Sequence, residues 1–138
     1  MAEAVTLQDV GLAVKRLQWR HHRDANTRLG AIGLSLPQWD VLRHLQANPD
    51  ASLHQLAVLT FQTDQSMGTL ATRMVDRGLL ERVVGPGRAV RHRLTPAGQQ
   101  LWQEGSELVD GVLGDSLGHF SDAELGTLHA LLVKAAEG

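Results

Sequence analysis

The chain has 138 residues, 43% of them hydrophobic and 20% charged, which suits one domain with a packed core and excludes a disordered polymer. It has no Cys, which excludes disulfides, thiolate zinc sites, Fe–S ligation and thiol redox chemistry on this chain. The formal net charge of −2 argues against wholesale affinity for polyanions; no apolar run nears the ~20 residues of a bilayer span and MAEAVTLQDV is not a signal peptide, so the expected place is the cytoplasm, with no membrane partner.

Residues 5–32 read as a long first helix. Leu7, Val10, Val14 and Leu17 recur at helical spacing, the middle turns polar, and Leu29 and Ile32 resume the stripe. Such a helix does not bury itself in one small domain, so a second subunit is its expected partner. In LSLPQWDVLRHLQANP, Ser35 is an N-cap and Pro37 a first-turn residue; Trp39, Leu42 and Leu45 mark the inner face with Val41 at its margin. Ser52 and Gln55 match a capping box that opens a short helix burying Leu53, Leu56, Ala57 and Leu59. TFQT is a turn, and Thr63 caps the next helix, Asp64–Arg77. Two short helices joined this way form a helix-turn-helix.

The second of these helices puts Met67, Leu70, Ala71 and Met74 on one face and Gln65, Ser66, Thr69, Thr72, Arg73 and Asp76 on the other. An ordinary solvated face favours Glu and Lys. This one carries side chains that hydrogen-bond base edges and phosphates. Gly78 closes the helix. Leu79–Val84 and Ala89–Thr95 alternate as half-buried strands around the turn Gly85-Pro86-Gly87-Arg88. Thr95-Pro96 starts a helix to about Leu117 that carries Leu101, Trp102, Leu108, Val109, Val112 and Leu113; its interior Gly105 and Gly111 point to a bend or a close helix crossing. Ser121 and Glu124 form another capping box, and the last helix aligns Leu125, Leu128, Leu131, Leu132 and Ala135.

Charge is divided along the chain. From Arg73 to Arg93 six arginines (Arg73, Arg77, Arg82, Arg88, Arg91, Arg93) face Asp76 and Glu81, a local +4; from Pro96 onward seven acids face only Lys134, a local −6. A basic patch on an acidic body can hold phosphate without making the whole protein adhesive.

The order of elements resembles the multiple-antibiotic-resistance regulator (MarR) family of winged helix-turn-helix repressors over nearly the whole chain. SLHQLA in the third helix, the run of the recognition helix into RGLLER and the wing ending RHRLTPAGQQL carry the likeness. The expected fold is therefore mostly α with a small β-wing, in a single domain over 1–138. The winged helix-turn-helix occupies about 34–95, and dimerisation helices lie at 5–32 and 96–138. The resemblance implies a sequence-specific transcriptional regulator that binds double-stranded operator DNA of pseudo-palindromic form as a homodimer. It also implies a repressor released by a small phenolic or acidic effector. In one respect the sequence departs: family wings carry an Asp-x-Arg pattern in a longer loop, whereas Arg88 here matches the arginine and Pro86 stands in place of the Asp.

The expected DNA contacts are Thr63, Gln65, Ser66, Thr69, Thr72, Arg73, Arg77, Arg88 and Arg91. Gln65 suits adenine, Arg73 guanine or phosphate, the hydroxyls phosphate, and Arg88 the minor groove. Family effectors lodge between the first, second and fifth helices, which nominates Trp19, His22, Trp39, Arg43 and His44: indoles for an apolar slot, imidazoles and a guanidinium for an anion. The seven His residues make no tight ligand motif, so neither a metal site nor a cofactor is expected. Nor is an enzyme, since the sequence has no Gly-x-Ser-x-Gly, no phosphate-cradling Gly loop with Lys and no two-carboxylate motif. The alternative is a winged-helix module for protein–protein assembly without DNA binding, which the arginine-rich wing disfavours.

Overall fold

A computed structural model describes residues 3–84, 87 and 89–138. Along the chain run α1 (Leu7–Gly30), α2 (Leu36–Ala47), α3 (Leu53–Leu59), α4 (Asp64–Asp76), β1 (Leu80–Val84), β2 (Val90–Leu94), α5 (Pro96–Leu117) and α6 (Asp122–Glu137). The fold is mostly helical with one small antiparallel hairpin, a winged helix-turn-helix joined to long terminal helices.

Side-chain caps set most boundaries. Ser35, Ser52 and Ser121 each close a reciprocal box with Gln38, Gln55 and Glu124, while Thr63 and Thr95 accept from Ser66 N and Gly98 N. The first helix is shorter than 5–32 because a box the sequence reading missed starts it: Thr6 accepts from Asp9 N at 3.0 Å and the Asp9 carboxylate accepts from Thr6 N at 3.0 Å. At the other end Gly33, at φ 79, turns the chain into α2.

The core gathers Leu29, Leu42, Leu45, Leu56, Met67, Met74 and Leu80 with Val41, which is fully buried rather than marginal. Leu53 and Leu59 are only half-buried, since α3 is short and one side of it faces solvent. Met67, Ala71 and Met74 of α4 are buried and Leu70 is half-buried, so the helical stripe read from sequence is the inner face. The strands pair Leu80 with Leu94 through Val84 with Val90. They are a residue shorter at the base than expected, because Leu79 and Thr95 belong to a knot there: Thr95 N donates to Leu79 O at 3.1 Å and Thr95 Oγ1 donates to Gly78 O at 2.5 Å. Gly78, at φ 74, makes the left-handed stop that lets α4 pass into this knot.

Helix α5 crosses α1 and α2 at close range. A Cβ on Gly98 would lie 2.1 Å from Leu79 O, and one on Gly105 would lie 2.6 Å from Trp39 Cδ1, so both glycines are seats for a neighbour rather than a bend. The Trp39 indole donates to Ser106 Oγ at 3.3 Å and caps this crossing. The two chain ends are different. Leu7, Val10, Leu12 and Val14 of α1 and Leu131, Leu132 and Val133 of α6 are exposed, and α6 buries none of its residues.

Candidate nucleic-acid interface

The outer face of α4 presents Gln65, Ser66, Thr69, Thr72 and Arg73, all exposed, with no carboxylate between Gln65 and Val75. The Thr63 oxygen caps the helix through Ser66 N at 3.0 Å, which leaves its hydroxyl proton free to donate outward. The first-turn acid, Asp64, lies 2.8 Å from His54 Nδ1 on α3. Side chains of this type beside a helix N-terminus can donate to an anion and address base edges.

The arginines divide into held and free. Arg77 turns back on its own domain, donating to Gln38 Oε1 at 3.2 Å, the same oxygen that accepts from Ser35 N at 3.0 Å. Arg93 pairs with Glu81 across the hairpin, and Arg82 reaches Thr72 Oγ1 at 3.4 Å. Arg73 makes no ion pair among the described residues. Arg91 is half-buried on β2, donating locally to Val90 O at 3.4 Å. Arg88 and Pro86, on which the wing expectations rest, lie outside the described residues. Between the arginines His92 is 3% exposed; burial, then the Arg82 charge, holds it below the usual imidazole range.

Sequence reasoning passed over Phe61. It sits in the turn between α3 and α4 at φ 57 and is 95% exposed. The bare turn signal could have flagged it, since that backbone position asks for a residue tolerant of left-handed geometry.

The effector cluster is brought together only in part. A cleft of about 210 Å³ between α1, α2 and α5 is lined by Gln18, His21, His22, Ala25, Leu36, Trp39, Asp40, Arg43, Val109, Val112 and Leu113. His22, Trp39 and Arg43 therefore share one wall system, with the Arg43 guanidinium 5.6 Å from the Trp39 ring centroid. Trp19 is 62% exposed and stacks on the far side of His22, ring centroids 6.1 Å apart, while His44 pairs with Asp40 at 3.5 Å and does not line the cleft. Not foreseen were His21, bonded to Ser116 Oγ at 2.5 Å, and Asp40. Burial, then Arg20, holds the His21 imidazole below its usual range; burial raises the Asp40 carboxyl, opposed by His44 and Arg43. Asn26 ties the cleft to α2: its amide lies 3.1 Å from His22 Nε2, and its oxygen accepts from Leu36 N at 2.8 Å.

The sequence profile of the MarR family matches residues 32–89, from the α1–α2 turn into the wing. The HTH-type transcriptional repressor Rv2887 of Mycobacterium tuberculosis is 31% identical over 88 residues, 62% of this chain and 63% of the repressor. Over its winged helix-turn-helix the chain is similar to the MarR family. The match thus spans 63% of the length of that curated relative. A solved structure of a mutant MarR from E. coli complexed with operator DNA superposes with a TM-score of 0.81 at 21% identity, over 91% of this chain and 92% of that one; this likeness is one of fold. Bordetella bronchiseptica BpsR, whose structure concerns regulation of DNA binding by 6-hydroxynicotinic acid, gives a TM-score of 0.81 at 25% identity over 92% of this chain and 98% of that one.

Within the chain, α4 and the base of the wing are fixed to each other by the Thr95 knot, and the cleft is linked to α2 by Asn26. No helix among the described residues is long and apolar enough to cross a membrane. No group of three or more His, Asp or Glu among them is placed to hold a metal ion.

Proposed function

We propose that this chain is a sequence-specific DNA-binding repressor that works as a homodimer in the cytoplasm and is released by a small aromatic acid, without catalysing a reaction. The observation that carries the reading is the outer face of α4: exposed, rich in hydrogen-bonding side chains and free of acids from Gln65 to Val75. In the major groove Gln65 addresses adenine and Arg73 guanine or phosphate, while Thr63, Ser66 and Thr69 donate to the backbone; Thr72, whose hydroxyl donates to Gly68 O at 3.0 Å, joins only by leaving it. Arg91 approaches phosphate from the wing, and Arg77 joins only by leaving Gln38. Two such heads, about one helical turn apart, suit a pseudo-palindrome. Residues 34–95 form the head, and 5–32 with 96–138 form the frame that pairs the protomers through exposed Leu7, Val10, Leu131 and Leu132.

Effector release rests on the cleft. Its 210 Å³ suits one substituted ring, and Trp39, Arg43 and His22 supply a flat apolar surface and anion-holding donors. A line of hydrogen bonds leads out of it, from His22 through Asn26 to Leu36 at the start of α2, and within that same first turn Gln38 holds Arg77 at the end of α4. A ring that displaces His22 thus acts on the helix that holds the recognition helix.

The test is a gel shift with DNA flanking the gene, with and without salicylate. A retarded band that salicylate dissolves is expected, and Arg73→Ala, which removes one phosphate contact per protomer, should reduce the slope of log K against log salt by about 2. Failure of every flanking duplex to shift would overturn the reading; an unchanged slope would take Arg73 off the phosphates, and unchanged affinity as well would remove it from the interface.

A further inference from the structure

Phe61 carries two costs that nothing among the described residues returns. A bulky side chain at φ 57 occupies a region that L-residues avoid, and a ring that is 95% exposed leaves its apolar surface in water. Glycine or asparagine would remove both. Strain of this kind persists only where the surroundings over-determine it, and here they do. Thr60 N donates to Leu56 O at 2.9 Å and Thr60 Oγ1 to the same oxygen at 2.6 Å; Gln62 N donates to Ala57 O at 2.8 Å and Gln62 Nε2 to Thr60 Oγ1 at 3.1 Å. Both neighbours of Phe61 are thus anchored to the last turns of α3. The turn is a rigid mount, and the ring is what it presents.

Position says what the ring is presented to. Phe61 lies two residues before Thr63, the cap of α4, whose first turns carry Gln65 and Ser66. A helix that enters the major groove contacts base edges through its N-terminal residues, so on the DNA-binding reading Phe61, two residues before the cap, comes to the groove edge beside them. A phenyl ring neither donates nor accepts a hydrogen bond. The apolar feature that B-DNA offers in that groove is the thymine 5-methyl group.

We propose that Phe61 is a specificity-determining residue that packs its ring on the 5-methyl of a thymine in each half-site. The inference rests on the DNA-binding reading above and names a base that this reading leaves open.

The experiment starts from duplexes that the intact protein itself selects from random-sequence DNA, with binding measured by fluorescence anisotropy and folding by thermal melting. Each thymine is replaced in turn by uracil, which removes only the methyl. Wild type should lose about 4-fold in affinity at one position per half-site, the share of one buried methyl. Phe61→Gly and Phe61→Asn should bind the thymine duplex roughly 10-fold more weakly, become indifferent to uracil at that position, and melt at the same temperature as wild type or higher.

Tight binding by both variants would overturn the proposal and leave the ring to a protein partner. Indifference of wild type to uracil at every position would also overturn it, pointing to a sugar contact. Variants that melt lower and lose affinity equally for thymine and uracil would make Phe61 a brace of the turn, which is a third way for it to fail. If wild type selects no duplex at all, the DNA-binding reading fails first and takes this inference with it.

Discussion

The head from α2 to β2 and the frame at the chain ends differ in what one protomer can complete. In the head, Val41, Leu42, Leu56, Met67 and Met74 are sealed from water, the Thr95 knot locks the wing to α4, and Gly98 of α5 seats on Leu79. In the frame, Leu7 is 92% exposed, Leu131 is 58% exposed, and the leucine row of α6 meets no core. Apolar surface costs about 25 cal/mol per Å² left in water. The head has already recovered that cost; the frame has not, and the proposed homodimer would recover it against a second copy. The same composition of leucines and valines therefore builds a finished unit in one place and an unfinished one in the other.

The sharpest way to break this comparison is at the seam where α5 seats on the head. Gly98→Ala would drive a Cβ toward Leu79 O, a backbone atom with no rotamer to escape into, so we expect a loss of about 3 kcal/mol in urea unfolding. Loss below 1 kcal/mol would mean that α5 shifts freely against the wing base. In the frame, the pair Leu131→Asp with Leu132→Asp should convert the proposed dimer to monomer in sedimentation. The monomer's unfolding free energy should stay within about 0.5 kcal/mol of that of wild-type monomer, as for other exposed changes. A variant that stays dimeric would take α6 out of the interface.

The smallest effect comes from pH. His92 and His21 both sit below the usual imidazole value of 6.5 because burial disfavours the charged ring. The unfolded chain therefore takes up protons near pH 6.5 that the folded chain refuses, and stability, complete above that pH, falls as pH drops through it. The slope for each ring should stay under the ~1.4 kcal/mol per pH unit of one fully linked proton. Urea titrations at pH 7.5, 6.5 and 5.5 measure it, and His92→Gln should flatten it; an unchanged slope would take His92 out of the linkage.

The helices and their starts were legible because caps are local. Ser35, Ser52, Thr63, Thr95 and Ser121 act within three residues of the helices they open. The cleft was legible only in part, for the opposite reason. His21 meets Ser116 across 95 positions, and no spacing rule reaches that far. Trp19 and Trp39 looked like one slot because both are indoles near histidines, yet α1 carries Trp19 to the outer side of His22. Arg77 looked free because charge counting does not see an amide oxygen such as Gln38 Oε1. Phe61 was hidden because a turn signal says that the chain bends without saying which dihedral it uses.

Gly98 and Gly105 are seven residues apart, two turns along α5, and so lie on one side of it. They make that helix a keyed shaft, with one notch for the Leu79 carbonyl and one for the Trp39 ring. For protein engineering this sets the unit of transplant. A head moved onto another regulator's fifth helix will seat only if that helix brings both notches at the same interval, so chimeras should be cut after α5, where α6 begins, and not at the wing.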